Sequence, residues 1–308
     1  MQQHALFSPH ECSTPELLDA PISSVVLELQ AQHDATLPTT TTGHQIHAIF
    51  HRLIARTDPA LSTCLHNEPG YRPFTLSPLL GIPPNKDQIQ ISAGRAYHVR
   101  ATLLDGGHLW HCLSVPLLEG GPVDVALGEA QFKLTRLLST PTADGKVAKT
   151  TWRQLSSHSP AHEITLSFLS PTAFNINGNY FALFPEPQFV WDSLIRVWNT
   201  YAPKALHVEK LAIRDFLVRH VAVTTCALST HTLHYTKYTQ KGFCGQCTYA
   251  ILENNERAAQ ITHLAAFAPF AGVGYKTTMG MGQVRAGLHL IDYSKHCFDA
   301  DIHSHIRQ

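Results

Sequence analysis

The chain has 308 residues, an apolar fraction of 44% and 23 basic against 23 acidic side chains. This length can bury one large core or two of ordinary size, and the composition excludes a disordered protein. The chain has seven cysteines, no long apolar run and no signal-peptide pattern at its N-terminus. We therefore expect a cytoplasmic protein with reduced thiols and no membrane contact.

The charges are unevenly distributed along the chain. Residues 1–70 carry seven acidic residues against Arg52 and Arg56, whereas residues 201–285 carry nine basic against four acidic residues. A net charge of zero counts against nucleic-acid binding, but a basic surplus in one half suits a polyanion bound by that half.

The first half alternates between strand and helix patterns. Residues 23–32 alternate apolar and polar side chains and predict a strand, and a helical pattern opens at Gly43. Asp58 and Pro59 form an N-cap signal for a second short helix. Further elements are predicted as strands over 85–93 and 96–104, a helix over 108–118 and strand pairs over 123–138. This is the element order of a ferredoxin-like unit.

The second half repeats that order. The polar stretch 156–162 predicts a boundary that divides the chain into residues 1–155, residues 156–292 and a polar tail, 293–308. The predicted elements are a strand over 163–169, a turn over 170–174, a helix over 187–198, strands over 219–230, 232–240 and 245–252, and a helix over 255–267. The expected fold is α+β, with tandem ferredoxin-like (RRM-like) domains.

A glycine-rich loop near the C-terminus is the most informative motif. Gly272, Gly274, Gly280 and Gly282 form two Gly-x-Gly pairs around Lys276. The spacing matches neither a dinucleotide-binding loop nor a Walker loop. Glycine permits close backbone approach, and consecutive N–H groups in such a turn can hold an anion beside the lysine. The loop and the following Arg285 are therefore predicted to bind a phosphate backbone; the alternative is a glycine-rich hairpin.

The pattern of this loop resembles that of the Cas6 endoribonucleases, which process CRISPR repeat RNA. Three other stretches share the resemblance: the Leu65-His66 step with residues 71–79, residues 168–174, and Lys241-Gly242-Phe243. The resemblance implies tandem ferredoxin-like domains, no cofactor and no metal. It implies CRISPR precursor RNA as the partner, with a CRISPR effector complex and a second copy of the chain as further candidates.

The resemblance also implies catalytic residues. His66 falls where many members keep a catalytic histidine, and we assign it as general base. Arg72 falls where some members have a lysine and would stabilise charge, and His51 falls where some have a tyrosine and is the candidate acid. The implied reaction is metal-independent cleavage by the RNA 2′-hydroxyl, giving 2′,3′-cyclic phosphate and 5′-hydroxyl ends. The alternative is a repeat-RNA-binding subunit whose active site is weak or lost.

Two other patterns invite a metal. Cys244 and Cys247 form a single C-x2-C pair, but zinc needs two more ligands at proper spacing. His47 and His51 lie one helical turn apart with His44 before them, and no acidic ligand accompanies them. A polar helix face is the favoured interpretation of these histidines, and no metal site is predicted.

Overall fold

The computed structural model of the protein describes residues 15–37, 41–67, 70–82, 88–142, 145–235 and 238–290. The strands are β1 (Pro21–Ala31), β2 (Ala35–Leu37), β3 (Phe74–Leu76), β4 (Ile89–Ile91), β5 (Ala96–Leu103), β6 (Val123–Leu127), β7 (Ala130–Leu138), β8 (Ala148–Thr151), β9 (Ala161–Thr172), β10 (Phe174–Asn175), β11 (Phe181–Ala182), β12 (Val221–His234), β13 (Thr239–Ile251) and β14 (Val284–Leu290). The helices are α1 (Pro15–Leu18), α2 (Gly43–Thr57), α3 (Pro59–Asn67), α4 (His108–Gly120), α5 (Trp152–Leu155), α6 (Pro187–Tyr201), α7 (Lys210–His220) and α8 (Glu256–Ala271), with short 3-10 helices at Lys204–Leu206 and Thr277–Met279.

The first sheet has the strand order β3-β5-β1-β7-β6, and β8 pairs with the start of β1. All its pairings are antiparallel. Helices α2 and α4 bury one apolar stripe each against this sheet, as amphipathic helices do. Their buried side chains include Phe50, Leu53, Leu109 and Leu113.

The second sheet has the strand order β12-β13-β9-β14, again antiparallel throughout. Helices α6 and α8 pack on it through Trp191, Leu194, Ile261 and Leu264. In the second sheet the first strand, β9, lies between the third and the fourth; in the first sheet β1 lies between β5 and β7, and β6 is added outside β7. The predicted tandem ferredoxin-like fold of the α+β class is therefore confirmed.

Three predicted elements were wrong. Residues 170–172 continue strand β9 rather than forming a turn. The predicted strand over 219–230 begins too early, because Arg219 belongs to helix α7, which was not predicted. Residues 221–234 form one strand, β12, rather than two strands separated at residue 231. Both faces of β12 are largely exposed, so its sequence lacks the apolar alternation that marks a half-buried strand. The predicted strand over 85–93 is short, and part of it lies outside the described residues, as does the polar tail 293–308.

The two halves are joined by packing as well as by the chain. Trp152 of α5 precedes the predicted boundary, yet its ring packs edge-on against Trp198, with centroids 5.2 Å apart, and lies 5.3 Å from Phe267. Only 3% of Trp152 is exposed. The end of the first half therefore forms part of the second core. No described helix has the length and apolar character needed to cross a membrane.

Candidate active site

Helices α2 and α3 bring the two predicted catalytic histidines together. Asp58 caps α3, its Oδ1 accepting the Leu61 N–H at 2.8 Å, and the helix carries His66 in its last turn. The Ser62 hydroxyl donates to the carbonyl oxygen of His51 at 3.0 Å and ties α3 to α2. The rings of His51 and His66 consequently meet at 87°, with centroids 5.8 Å apart.

His51 is the buried member of this pair. Its side chain is 9% exposed, and neither ring nitrogen has a hydrogen-bond partner among the described residues. Burial lowers the pKa of His51, and the nearby His66 and Arg72 lower it further. Burial therefore favours the neutral form of His51, whereas His66 is exposed to solvent.

Arg72 adjoins His66, as the resemblance implied. Its Nη2 donates to the carbonyl oxygen of His66 at 3.3 Å, and its Nη1 donates to the carbonyl oxygen of Gly70 at 3.2 Å. Both acceptors are neutral, so they leave the positive charge of the guanidinium uncompensated. The structure thus brings His51, His66 and Arg72 into one neighbourhood.

A third histidine, His47, connects α2 to the glycine-rich loop, residues 272–282. Its Nδ1 lies 3.1 Å from the carbonyl oxygen of Thr278. Because a carbonyl only accepts, Nδ1 carries the proton. Burial, followed by the neighbouring His51, lowers the pKa of His47 to about 4. His47 was noted in the sequence only for its spacing from His51, and its contact with the loop had no local signal.

The glycine-rich loop lies against the start of α2. A Cβ atom at Gly43 would come within 1.8 Å of the carbonyl oxygen of Met279, so only glycine permits this approach. Within the loop, Gly272, Gly274, Gly280 and Gly282 all have positive φ. Three of them are buried, Gly274 being half-buried.

Most amides of this loop are already bonded within the protein. The N–H of Gly274 donates to the Ser193 hydroxyl at 2.8 Å, and that of Gly282 donates to the carbonyl oxygen of Pro171 at 3.1 Å. The N–H of Gly272 donates to Ala268 and closes helix α8. The amides of Gly272, Gly274 and Gly282 are therefore not available to hold an anion. The glycines shape the loop, and the stretch from Lys276 to Thr278 is half-buried.

Lys276 is held by aromatic rings. It is the one non-glycine residue with positive φ in the described part of the chain, at 55°. Its ammonium lies 4.0 Å from the ring centroid of Tyr238, 4.9 Å from that of Tyr235 and 5.2 Å from that of Tyr275, and it donates to the Tyr238 hydroxyl. These cation–π contacts keep the charge while fixing its position. They also attach the tip of the β12–β13 hairpin to the loop.

Between the two halves lies an open cleft of about 240 Å³. Its lining includes Tyr71, Arg72, Ser193, Arg196, Tyr275 and Lys276. Arg285 does not line this cleft: it lies in a separate depression of about 140 Å³ that also includes Arg100. Burial and the like charge of Arg285 lower the pKa of Arg100 to about 10. Arg196 of α6 was missed, because nothing in its local sequence distinguishes it from a solvated arginine.

The cysteines of β13 are held as thiols. Burial raises the pKa of Cys244 to about 11 and that of Cys247 to about 12, whereas metal binding and redox chemistry use the thiolate. Cys247 lies opposite Cys226 across the β12–β13 pairing. Within the described ranges no three His, Cys, Asp or Glu side chains are grouped so as to hold a metal ion.

Both halves of the chain match family models. Residues 21–157 match the CRISPR Cas6 N-terminal domain, and residues 166–284 match the CRISPR-associated endoribonuclease Cas6. The chain belongs to the Cas6 family. The resemblance inferred from the glycine-rich loop and the Leu65-His66 step is thus confirmed.

Solved Cas6 structures share this fold. A Cas6 product complex is 28% identical with a TM-score of 0.71, and the alignment covers 87% of this chain and 100% of that one. Thermus thermophilus Cas6 is 27% identical with a TM-score of 0.64, covering 87% and 99% of the two chains. Among curated relatives, the CRISPR-associated endoribonuclease Cas6 of Streptococcus thermophilus is 25% identical over 121 residues, which are 39% of this chain and 49% of the relative. The alignment therefore spans about half the length of that Cas6 relative.

Proposed function

We propose that this protein is an endoribonuclease that cuts CRISPR repeat RNA in the precursor transcript. The observation that carries the proposal is the position of exposed His66 next to Arg72, which lines a cleft together with Tyr275 and Lys276 of the glycine-rich loop. A base, a fixed cation and an open groove are what RNA cleavage by its own 2′-hydroxyl requires. Membership of the Cas6 family supports the same activity.

In the proposed reaction, His66 accepts the proton of the 2′-hydroxyl next to the scissile phosphate. The 2′-oxygen attacks phosphorus, and the bond from phosphorus to the 5′-oxygen breaks. The products are a 2′,3′-cyclic phosphate and, once the departing oxygen has taken up a proton from solvent water, a 5′-hydroxyl. Negative charge develops on the phosphate oxygens during this step. Arg72 and Lys276 offset it, since an arginine fork donates to two oxygens at once; this role requires no metal ion.

His51 is not retained as the general acid in this scheme. An acid must hold a proton and must reach the leaving oxygen, whereas burial lowers the pKa of His51 and leaves it 9% exposed. Its position favours a supporting role: its ring packs edge-on against that of His66 and limits how the base can turn. His51 is therefore proposed as a positioning residue.

RNA is proposed to enter through the cleft. Lys276, fixed by its three tyrosines, supplies a cation that needs little reorganisation on binding. Gly272, Gly274, Gly280 and Gly282 act by shaping the loop, and Arg285 provides a contact outside the cleft. A CRISPR effector complex and a second copy of the chain stay candidate partners from the resemblance, and the cytoplasm stays the predicted location.

The proposal is tested by single-turnover cleavage of the cognate repeat RNA in EDTA. We expect one specific cut, which is lost when the 2′-hydroxyl next to the cut is replaced by hydrogen. His66→Ala should slow the cut at least ~100-fold, the usual scale of acid–base catalysis. His111→Ala removes an exposed histidine of α4 and should cut at the wild-type rate. Tight binding without cutting would instead identify a repeat-RNA-binding subunit, and dependence on added metal would refute the proposed chemistry.

A further inference from the structure

Arg196 presents an unneutralised guanidinium to the cleft. It is an exposed residue of helix α6. Its Nε donates to the backbone carbonyl oxygen of Asp192 at 3.1 Å. No carboxylate lies within 4 Å of its guanidinium in the part of the chain that the structure describes. The terminal N–H groups of the fork therefore have no anion to bind.

The residue that would neutralise Arg196 is bound elsewhere. Asp192 lies four positions earlier on the same helix, the spacing at which an acid and an arginine ordinarily pair. Its carboxylate is 4% exposed and accepts from the Nε of Arg214 at 2.9 and 3.0 Å. Lys210 adds a second cation 3.4 Å from the same carboxylate. Two cations of α7 thus hold Asp192 and leave Arg196 unpaired.

The surroundings of Arg196 favour a polyanionic ligand. Arg72 of the first half and Lys276 of the glycine-rich loop line the same cleft, and none of the described residues lining it is acidic. At about 240 Å³, the cleft is smaller than the roughly 300–1,000 Å³ of pockets that enclose whole small molecules. It suits one segment of a longer chain, with phosphates binding to the cations.

The position of Arg196 is fixed relative to the loop. Ser193, one helical turn earlier, accepts the Gly274 N–H at 2.8 Å, so α6 and the loop are joined directly beneath the cleft. Arg72, at the other side, is tied to the backbone of His66. Arg72 thus links the cleft to His66, and Arg196 lines the same cleft from the second half.

We infer that Arg196 binds the RNA phosphate adjacent to the one that is cleaved, an inference that rests on the proposed function. The planar fork of the guanidinium suits two oxygens of one phosphate, a geometry that lysine does not reproduce. Arg196 is therefore a substrate-binding residue contributed by the second half.

The test measures binding of Arg196→Ala to repeat RNA that lacks the attacking 2′-hydroxyl and is not cut. Affinity should fall roughly 10-fold, the scale of one charge-assisted hydrogen-bonded contact. The slope of log K against log salt should fall in magnitude by about 0.7, the value for one phosphate contact of a single strand. Arg196→Lys, which retains the charge, should keep the slope but lose affinity. Arg219→Ala, an exposed arginine of α7 paired with Asp215, should change neither quantity.

A second measurement locates the phosphate. Replacing the phosphate at the linkage next to the cut by a neutral methylphosphonate should weaken RNA binding by the wild-type protein. The same replacement should hardly change the affinity of Arg196→Ala. The inference would be overturned by equal salt-dependence slopes for Arg196→Ala and Arg219→Ala, or by a methylphosphonate effect in Arg196→Ala as large as in wild type. If the wild-type protein still cut the RNA, the proposed function would stand. If the wild-type protein bound repeat RNA no more tightly than an unrelated RNA, both the inference and the proposed function would be refuted. Equal thermal melting of the variants checks that folding is unaffected.

Discussion

The Nδ1 atom of His47 lies 3.1 Å from the carbonyl oxygen of Thr278 and joins helix α2 to the glycine-rich loop. These residues are far apart in the chain and belong to different halves. The contact sets the distance between the histidines of α2 and α3 and the cations of the loop. The candidate site is therefore assembled across the two halves rather than contained in one.

The burial of His47 should make stability depend on pH. The pKa of His47 is lowered to about 4 in the folded protein, against about 6.5 in an unfolded chain. Between these values the unfolded chain binds more protons, so the free energy of unfolding falls as the pH drops from about 6.5 to about 4. We expect His47→Asn to weaken this dependence in urea denaturation across that range. His51 and His263, whose pKa values are also lowered, preserve part of it in the variant.

The matched control for that experiment is His111→Asn. His111 is exposed on α4, so the variant should keep the full wild-type pH dependence. Parallel curves for His47→Asn and wild type would show that His47 titrates normally in the folded protein, contrary to the burial described above.

The close approach of α2 and the loop predicts a strong effect of a single methyl group. A Cβ at Gly43 would lie 1.8 Å from a backbone oxygen, which cannot move aside as a flexible side chain would. Gly43→Ala should therefore displace the loop, destabilise the protein by about 1–3 kcal/mol and reduce cleavage. Gly120→Ala adds the same methyl group with no atom within 4 Å, and it should be neutral or slightly stabilising. Equal urea midpoints for the two variants would contradict this account.

The tyrosines around Lys276 predict graded effects on cleavage. Tyr238→Phe keeps the ring 4.0 Å from the ammonium and loses only the hydroxyl contact, so cleavage should change little. Tyr238→Leu removes the cation–π contact, worth roughly 0.5–1 kcal/mol at an exposed position, and should reduce single-turnover cleavage by several-fold. Tyr180→Leu serves as the control, because Tyr180 is 71% exposed and is not in contact with Lys276. Equal losses for the phenylalanine and leucine variants would show that the ring does not position the lysine.

The burial of His51 separates its role from that of His66. His51→Asn should slow single-turnover cleavage less than ~10-fold, whereas loss of a group that transfers a proton costs ~100-fold or more. An effect of His51→Asn as large as that of His66→Ala would restore His51 as an acid–base residue.

The fold was largely predictable because its strands and helices carry their own periodicity. The alternation in residues 23–32 predicted strand β1, and the cap at Asp58 predicted helix α3. Both signals are local, and both elements are present. Helix α7 was missed because its apolar residues do not share one face: Ile213, Phe216 and Leu217 are buried, whereas Leu211 and Val218 are exposed. Strand β12 was predicted in two pieces, because it is exposed on both faces and no burial pattern marks where it ends.

The resemblance predicted which residues of the candidate site lie together, and their roles in catalysis stay predictions. His51, His66 and Arg72 are close together, as that resemblance implied. Arg196 follows Asp192 at the spacing of an ordinary helix ion pair, and only the three-dimensional contacts reveal that Arg214 has taken the acid. The internal bonding of the loop amides likewise depends on partners such as Ser193, which no local motif indicates.

The packing of Trp152 has a consequence for the order of events during synthesis. Its ring is covered by Trp198 and Phe267, which the ribosome adds much later. The first half can form its own sheet and core as soon as it emerges, as N-terminal units generally do. Its last helical turn stays uncovered until Phe267 has left the ribosome. The nascent chain thus carries a temporary apolar end that is covered only by completion of the second half.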